Sequence, residues 1–359
     1  MYKSTELEIS KLLMEVLQSN ASDLHLVAGK APILRIDSQL LELKHYEILS
    51  GNAISAMVDV LLDSDEKRKA FRTEKDLDFS FAFKDNIRFR VNAYYQKGYP
   101  AAALRTVPNK IKTVEELNLP VQLKEFTQHP QGLVLVCGPT GHGKSTTLAS
   151  LIDLINHNRA ANIVTIEDPI EFVYNQDRSI INQREVGQDT NSFGRALKSA
   201  LREDPDVVLV GEMRDLESIA ATITVAETGH LVFATLHTND AAQSIDRIVD
   251  VFPAYQQVQV RLQLANILLG VVSQRLLPKI GGGRVPASEI LLASNAVQNT
   301  IREGKTHQLP NIISTSMSLG MTSLDRSLAQ LVTQGLVRLE DAVIYSADPA
   351  MFDSLVKRG

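Results

Sequence analysis

A glycine-rich loop between an apolar strand and an amphipathic helix constrains this chain more than any other stretch. Residues 138–145 match G-x-x-x-x-G-K-[ST] at every fixed position. The apolar run Gly132–Cys137 before the loop is typical of a buried parallel strand. After the loop, apolar residues recur at helical spacing from Leu148 to Ile155. Strand, loop and helix together predict a phosphate-binding loop in an α/β sheet.

The residue types in the loop explain how it would hold phosphate. Its glycines let successive backbone N–H groups converge on a di- or triphosphate at a helix N-terminus, where the helix dipole favours negative charge. Lys144 is expected to reach the β- and γ-phosphates, and Ser145 a Mg²⁺ ion. The predicted nucleotide-binding residues are Gly138, Pro139, Thr140, Gly141, His142, Gly143, Lys144, Ser145 and Thr146.

Length, charge and cysteine content narrow the classes of protein. A chain of 359 residues exceeds what one hydrophobic core usually serves, so two domains are expected. A net charge of -5 argues against a general nucleic-acid binder. No stretch approaches the ~18 apolar residues of a membrane span, and no signal peptide is evident, so a cytoplasmic protein is expected. The single cysteine, Cys137, predicts a buried core residue and excludes a cysteine-based zinc module.

The first third of the chain predicts helices and a hairpin with one apolar face. Helical spacing predicts helices over about Thr5–Gln18 and around Ile54–Leu61. Alternating apolar residues from Phe79 to Val91 predict two strands joined by a turn at 84–86. A strand is also expected at Ala101–Val107, and a short amphipathic helix at Val114–Phe126.

The other face of the hairpin is basic. It carries Arg88, Arg90 and Asn92, and Arg105 follows on the next predicted strand. Two interpretations stay open: the arginines are solvated, or they form a basic face that meets phosphate or a partner subunit. The second interpretation is based on the geometry of the guanidinium group, which matches that of phosphate oxygens.

Acidic residues follow two further apolar strands. Glu167 and Asp168 come directly after residues 162–166, and Glu212 comes after Val207–Val210. Because the carboxyl ends of parallel strands form the ligand crevice of an open α/β sheet, these carboxylates are expected there. An aliphatic run that ends in an acid is typical of a Walker B strand. Gly211 stands where many such proteins have Asp, so Glu212 must do more of the chemistry or share it with Glu167.

Two histidines bracket the apolar run Leu231–Leu236. His230 precedes it, and His237 follows it at the end nearest the crevice. A lone histidine is usually structural, but this pair favours a γ-phosphate sensor or a hydrogen-bond relay. No third ligand has a recognisable spacing, so a histidine metal site is not expected.

The C-terminal part predicts a hairpin followed by helices. Strands are expected at Ser273–Leu277 and Arg284–Leu292 around three glycines, and helices at Asn295–Glu303, Leu309–Ser316 and beyond. Two roles stay open for this tail. It is either a packing lid on the nucleotide-binding domain or a surface that transmits the nucleotide state to a partner.

Six motifs in this order resemble those of the secretion ATPase superfamily, and within it the PilT-type retraction ATPases of type IV pili. The resemblance covers nearly the whole chain, and in such proteins a glycine at the position of Gly211 is normal. The motifs are Ala21–Leu26, Arg88–Asn92, the loop 138–145, an Asp box at Thr165–Glu171, the Walker B region Asp204–Asp215 and a His box at Thr228–His237.

The resemblance implies a fold and an assembly. The fold is α/β, with an N-terminal PAS-like α+β domain followed by a RecA-like P-loop ATPase domain with a helical C-terminal part. The expected boundaries are 1–109 for the first domain, 110–116 for a linker and 117–359 for the ATPase domain. The assembly is a ring-shaped homohexamer with ATP at the subunit interfaces.

The resemblance also implies a Mg²⁺-dependent ATPase motor that couples ATP hydrolysis to domain rotation, pilus retraction and twitching motility. Ser145 and Glu212 are the expected metal ligands. The expected partners are the inner-membrane platform protein of the pilus machine and a paralogous pilus ATPase, without nucleic acid, at the cytoplasmic face of the inner membrane. The expected catalytic residues are Glu212, Glu167, Arg90, Arg105, His230 and His237.

Two features bear on the direction of work. Extension ATPases of the superfamily usually carry a further N-terminal domain and a tetracysteine zinc module, and this sequence shows neither, which favours retraction. The PilT-type signature Ala-Ile-Arg-Asn-Leu-Ile-Arg-Glu is matched at 296–303, with departures at Val297, Gln298 and Thr300. Three alternatives stay open: an accessory PilU-type ATPase, a DNA-translocating RecA-like motor and a nucleotide-dependent binding switch.

Overall fold

A computed structural model describes residues 2–36, 39–84, 87–108 and 110–358. Asp85 and Asn86 of the predicted turn, and Asn109 at the predicted domain boundary, lie outside the described residues. The contacts of the chain divide it into two units. Unit 1 is Met1–Lys110 with Glu171–Val173, and unit 2 is Ile111–Ile170 with Tyr174–Gly359.

Unit 1 combines three helices with an antiparallel sheet in its described part. Within the described residues the strand order is β3-β2-β1-β6-β5-β4, and every neighbouring pair is antiparallel. Helices α1 to α3 span Tyr2–Gln18, Gly51–Leu61 and Asp65–Glu74. Strands β1 to β6 span Asp23–Leu26, Ile33–Ile36, Gln39–Glu42, Asp76–Phe83, Ile87–Gln96 and Tyr99–Val107.

The apolar periodicities of unit 1 correspond to its core. The predicted helix face of α2 is buried from Ile54 to Leu61. On the hairpin, Phe79, Phe89 and Val91 are buried, as the alternation predicts. Ser50 begins α2 by accepting a hydrogen bond from Ala53 N, a favourable N-cap. Apolar burial therefore turns one face of the sheet inward and leaves the arginine face outside the core.

Unit 2 is built on a mostly parallel sheet. Among the described residues its strand order is β13-β12-β7-β11-β10-β8-β9, and only the β12 and β13 pair is antiparallel. Strands β7 to β13 span Gly132–Cys137, Asn162–Glu167, Ile180–Glu185, Val207–Val210, Leu231–Leu236, Leu268–Pro278 and Arg284–Leu292. Helices α4 to α13 span Lys144–Asn158, Phe193–Ala200, Leu216–Glu227, Ala241–Asp250, Ala254–Ile267, Asn295–Arg302, Leu309–Thr315, Leu324–Thr333, Leu339–Val343 and Pro349–Arg358.

The central strands of unit 2 explain where its loops meet. Every residue of β7, β10 and β11 is buried, as expected for parallel strands that helices cover on both faces. Cys137 is fully buried, which confirms the prediction of a core residue. Since β7, β8, β10 and β11 are parallel, the loops after them emerge at one edge of the sheet.

Two parts of the sequence prediction differ from the structure. The helix expected at Val114–Phe126 is instead a turn followed by a 3₁₀ helix at Val121–Gln128, because Pro120 lacks an N–H and fixes its φ at -57°. Helix α8 was not predicted from the sequence. Its apolar residues are spread around the helix, and Tyr255 and Val258 are exposed, so the apolar residues show no helical periodicity. No helix in the described part of the chain is long and apolar enough to span a membrane.

Candidate functional site

The predicted phosphate-binding loop joins β7 to α4 and depends on glycine geometry. Gly138 has φ 145°, and a Cβ there would lie 2.5 Å from Gln274 O. Gly143 is the N-cap of α4 in the left-handed region, with φ 84°. Only glycine tolerates both the positive φ and the close approach of neighbouring backbone without strain. The loop can therefore approach a ligand closely and present its N–H groups.

Lys144 lies inside this loop rather than in solvent. Its side chain is buried, and Nζ donates to Gly138 O at 2.8 Å and to Pro139 O at 3.1 Å. His237 Nδ1 lies 3.5 Å from the same Nζ. The carbonyl groups hold the cation at the position where a phosphate-binding loop needs it.

His142 anchors the loop from its other side. Its Nδ1 accepts a hydrogen bond from Leu276 N at 3.0 Å, which requires an unprotonated Nδ1. Burial, together with the cations Arg275, Lys144 and Arg284, lowers the pKa of His142 and favours this neutral ring.

Glu212 lies at the centre of a cluster after β10. Its side chain is only 13% exposed, and its carboxylate forms an ion pair with Arg214. His237 Nε2 lies 3.4 Å from the other carboxylate oxygen. The hydrogen bond to Glu212 raises the pKa of Arg214, whose guanidinium group also lies 3.8 Å from Asp168.

The two ring nitrogens of His237 face different groups. Nδ1 lies within hydrogen-bond distance of Lys144 Nζ and of Thr140 Oγ1, the latter at 3.4 Å, while Nε2 faces the carboxylate of Glu212. The structure therefore brings together three residues that are far apart in sequence, Lys144, Glu212 and His237. A ring between a phosphate-binding cation and a carboxylate has the geometry to respond to a bound phosphate.

Glu167 is held on the neighbouring strand β8. It is buried, and its Oε1 accepts from Thr165 Oγ1 at 2.6 Å and from Gln183 Nε2 at 3.2 Å. A Cβ at Gly211 would come within 3.1 Å of Ile166 O and 3.2 Å of Glu167 Cα. This close approach of β8 and β10 gives a physical reason for glycine where many Walker B strands carry Asp.

The structure separates His230 from this cluster. His230 precedes β11, so six residues of extended strand, roughly 20 Å, lie between it and His237. Its Nδ1 lies 2.9 Å from Val225 O and 3.1 Å from Thr228 Oγ1. Within unit 2 the two histidines therefore lie at opposite ends of β11, as expected for residues that bracket one strand, and only His237 lies beside Lys144 and Glu212.

The predicted arginines of unit 1 form a row across its sheet. Arg90 on β5 is the register partner of Arg105 on β6, and Arg105 is the partner of Asp23 on β1. Arg105 Nε donates to Asp23 Oδ1 at 2.8 Å, and Arg35 Nε lies 3.7 Å from Oδ2. Burial alone would raise the pKa of Asp23, but hydrogen bonds from Ser22 and Arg105 outweigh it and lower the pKa.

A cavity beside the loop was not predicted from the sequence. It measures about 280 Å³ and extends from the first turn of α4 to the segment before the 3₁₀ helix. The cavity is lined by residues that include Lys112, Leu117, Thr146, Thr147, Leu276 and Arg284. Arg284, the first residue of β13, also donates to Gly141 O at 3.4 Å.

Comparison with known proteins places this site in a family. The model of the family described as type II/IV secretion system protein matches residues 3–283. The chain belongs to the type II/IV secretion system protein family.

Members of the type II/IV secretion system protein family resemble this chain over nearly its full length. The type IV pilus retractation ATPase PilT of Pseudomonas aeruginosa is 48% identical over 94% of this chain and 97% of that protein. The type IV pilus ATPase PilU of the same species is 36% identical over 98% of this chain and 92% of that protein. A crystal structure of the pilus retraction motor PilT with bound ADP matches at a TM-score of 0.89 and 47% identity, covering 96% of this chain and 99% of that one.

These comparisons confirm two expectations from the sequence. The chain has the α/β fold of the family, an N-terminal PAS-like α+β domain followed by a RecA-like P-loop ATPase domain with a helical C-terminal part. It is an ATP hydrolase of the type II/IV secretion system protein family.

Several residues of the site gave no signal in the sequence. Gln183 and Thr165 hold Glu167, and Thr235 Oγ1 donates to Gly211 O at 2.5 Å. Arg214 was not named as a site residue either, but it lies two residues after Glu212 in the Walker B region. That position is a sequence signal from which Arg214 could have been predicted. Gln183 and Thr235 are ordinary polar residues whose partners lie on other segments of the chain, and Thr165 lies two residues before its partner on β8.

Proposed function

We propose that this chain is an ATPase motor that powers retraction of a type IV pilus and thereby twitching motility. The observation that carries the proposal is the 48% identity to a type IV pilus retractation ATPase over 94% of the chain. The convergence of Lys144, Glu212 and His237 supports it, because a motor needs a site that hydrolyses ATP and senses its phosphate.

We further propose how the chain holds ATP and Mg²⁺. The loop N–H groups and Lys144 neutralise the phosphates. Ser145 and Glu212 would hold Mg²⁺ through a hydroxyl and a mostly buried carboxylate, which are oxygen ligands of the kind that this ion prefers. Bound Mg²⁺ supplies charge neutralisation at the β- and γ-phosphates. The 280 Å³ cavity next to Thr146 is large enough for part of a nucleotide.

Glu212 and Glu167 are the proposed residues for the attacking water. Their strands are adjacent, and the donors Thr165 and Gln183 fix the carboxylate of Glu167. Either carboxylate can accept the proton of the water, and His237 couples Glu212 to the phosphate-binding loop. His230 stays a predicted member of the site only through its family motif.

The assembly we propose is a homohexameric ring in which ATP hydrolysis drives domain rotation. Arg90 and Arg105 would reach a nucleotide from the N-terminal domain, 1–109, and the segment 110–116 would act as a linker to the ATPase domain, 117–359. The exposure of 70% of the Arg105 side chain supports an external partner. The ring would act at the cytoplasmic face of the inner membrane on the platform protein of the pilus machine.

A second candidate is an accessory PilU-type role, which the 36% identity to PilU over 98% of the chain favours. Deletion of the gene in its host distinguishes the roles. If the chain is the main retraction motor, surface pili accumulate and twitching stops. Normal pilation and motility would favour the accessory role, and cells without pili would contradict retraction altogether.

A further inference from the structure

Strand β12 touches both loops of the site through side chains on opposite faces of the sheet. Gln274 and Arg275 are consecutive strand residues, so their side chains point in opposite directions. They are 2% and 8% exposed, and neither has a role in the proposed reaction. A polar side chain this deeply buried needs partners, and both find them in loops.

Gln274 contacts the phosphate-binding loop and the helix it opens. Its Oε1 accepts from Thr147 Oγ1 at 2.8 Å, and its Nε2 donates to His142 O at 2.8 Å. A Cβ at Gly143 would lie 2.8 Å from the same Nε2, so the loop passes the amide as closely as glycine permits. The amide therefore fixes the loop on both sides of Lys144.

Arg275 contacts the loop that carries His237. Its Nη2 donates to Asn239 O at 3.0 Å and to Asn239 Oδ1 at 3.1 Å, and Ser273 Oγ donates to the same carbonyl oxygen at 2.6 Å. Asn239 is two residues beyond His237. The position of the histidine thus depends on buried side chains of β12.

We propose that Gln274 and Arg275 are positioning residues that hold the phosphate-binding loop and the His237 loop at a fixed separation and couple their movements. Strand β12 is hydrogen-bonded to β7 on one side and β13 on the other, so it is a rigid support. A displacement of either loop must break buried hydrogen bonds or shift the strand that holds the other loop. The part of the proposal that concerns Arg275 and ATP turnover rests on the proposed function of His237.

Nucleotide affinity tests the Gln274 half. Gln274→Met keeps the shape of the side chain and removes both hydrogen bonds, so the Kd of the full-length protein for a fluorescent ADP analogue should rise about tenfold, the equivalent of about 1.4 kcal/mol. Thr147→Val removes the same hydrogen bond from α4 and should shift the Kd in the same direction. Because Thr147→Val leaves β12 intact, it keeps the test open if Gln274→Met does not fold.

Turnover tests the Arg275 half. Arg275→Met should lower kcat about tenfold while the Kd for the ADP analogue changes less than about twofold, since the phosphate-binding loop keeps its own anchor. Arg275→Lys retains a donor near Asn239 and should recover part of the loss. A purely structural role would instead move kcat and Kd together with stability.

Ser288→Ala is the matched control. Ser288 is a buried residue on the adjacent strand β13, and its hydroxyl has no hydrogen-bond partner in the described part of the chain. The Ser288→Ala variant should have the Kd for the ADP analogue and the kcat of the wild type. Unfolding in urea is measured for every variant, so that a loss of stability is recognised as such.

Three outcomes overturn the inference or separate it from the proposed function. Folded Gln274→Met and Thr147→Val proteins that bind the analogue with wild-type Kd overturn it. Wild-type turnover in Arg275→Met overturns it as well, provided that His237→Ala is impaired. Full turnover in His237→Ala refutes the proposed role of that histidine instead, and the Kd values of the Gln274 and Thr147 variants then decide the inference.

Discussion

The largely desolvated carboxyl group of Glu289, a residue that is partly buried on β13, should make the stability of unit 2 depend on pH. Burial raises the pKa of Glu289 from 4.5 to about 7, although a hydrogen bond from Ala241 N at 2.9 Å acts in the opposite direction. Because the folded state binds this proton more tightly than the unfolded chain does, the contribution to stability is greatest below pH 4.5 and is lost as pH rises to about 7.

The size of the effect follows from the shift. The interval from 4.5 to 7 corresponds to about 3 kcal/mol at about 1.4 kcal/mol per pKa unit, of which roughly 2 to 3 kcal/mol falls between about pH 5 and 8. Glu289→Gln keeps an acceptor for Ala241 N and cannot ionise. The variant should therefore gain about that much stability over the wild type as the pH is raised across this range.

The assay is urea unfolding of both proteins at each pH, followed by circular dichroism, so that the titration of all other groups cancels in the difference. Glu340→Gln, at an exposed carboxylate of α12, is the matched control and should leave the profile unchanged. A difference between Glu289→Gln and the wild type that does not vary with pH, or a variant less stable at pH 8, would refute the reasoning.

Four further predictions concern the motor. Lys144→Ala should lower ATP turnover by about two to three orders of magnitude in a folded protein, since one preorganised cation is lost; wild-type turnover would contradict the loop assignment. Glu212→Gln should retain ATP binding by equilibrium titration and lose most turnover; lost affinity with normal turnover would reverse its role. Arg105→Ala chains mixed with Lys144→Ala chains should regain some hydrolysis if subunits share the site; an Arg105→Ala protein as active as the wild type would exclude this role. Arg302→Ala should stop twitching in cells yet leave hydrolysis largely intact, whereas Ile301→Ala should cost about 2 to 5 kcal/mol of stability because Ile301 is fully buried.

Arg302 and Ile301 are neighbours in the signature segment 296–303, but the structure gives them different surroundings. One of the two roles left open for this part of the chain is a surface that transmits the nucleotide state to a partner, and such a role needs exposed residues. In the structure Ile301 packs in the core of unit 2, while Arg302 is exposed and donates to Asn299 and to Asn266 on α8. Only Arg302 can therefore separate transmission from folding.

The sequence by itself determined the local structure of the site. Residue spacing alone predicts the strand, loop and helix around Lys144. The acids Glu167 and Glu212 stand at or just after the ends of continuous apolar runs, and these runs are buried parallel strands in the structure. These signals are local, because a helix or strand buries a face set by its own period, and the folded protein keeps them. The polar strand β9, with the sequence Ile-Ile-Asn-Gln-Arg-Glu, had no such pattern and was not predicted.

The tertiary structure alone decided which residues act together. Nothing in the sequence places β12 next to β7, more than a hundred residues earlier, yet that pairing brings Gln274 to the phosphate-binding loop and Arg275 to the His237 loop. The parallel pairing of β10 with β11 brings His237 to Glu212, and the length of β11 separates His230 from both. The physical reason is that strand order and register arise from the packing of the whole sheet, whereas periodicity reports only which face of each element is buried.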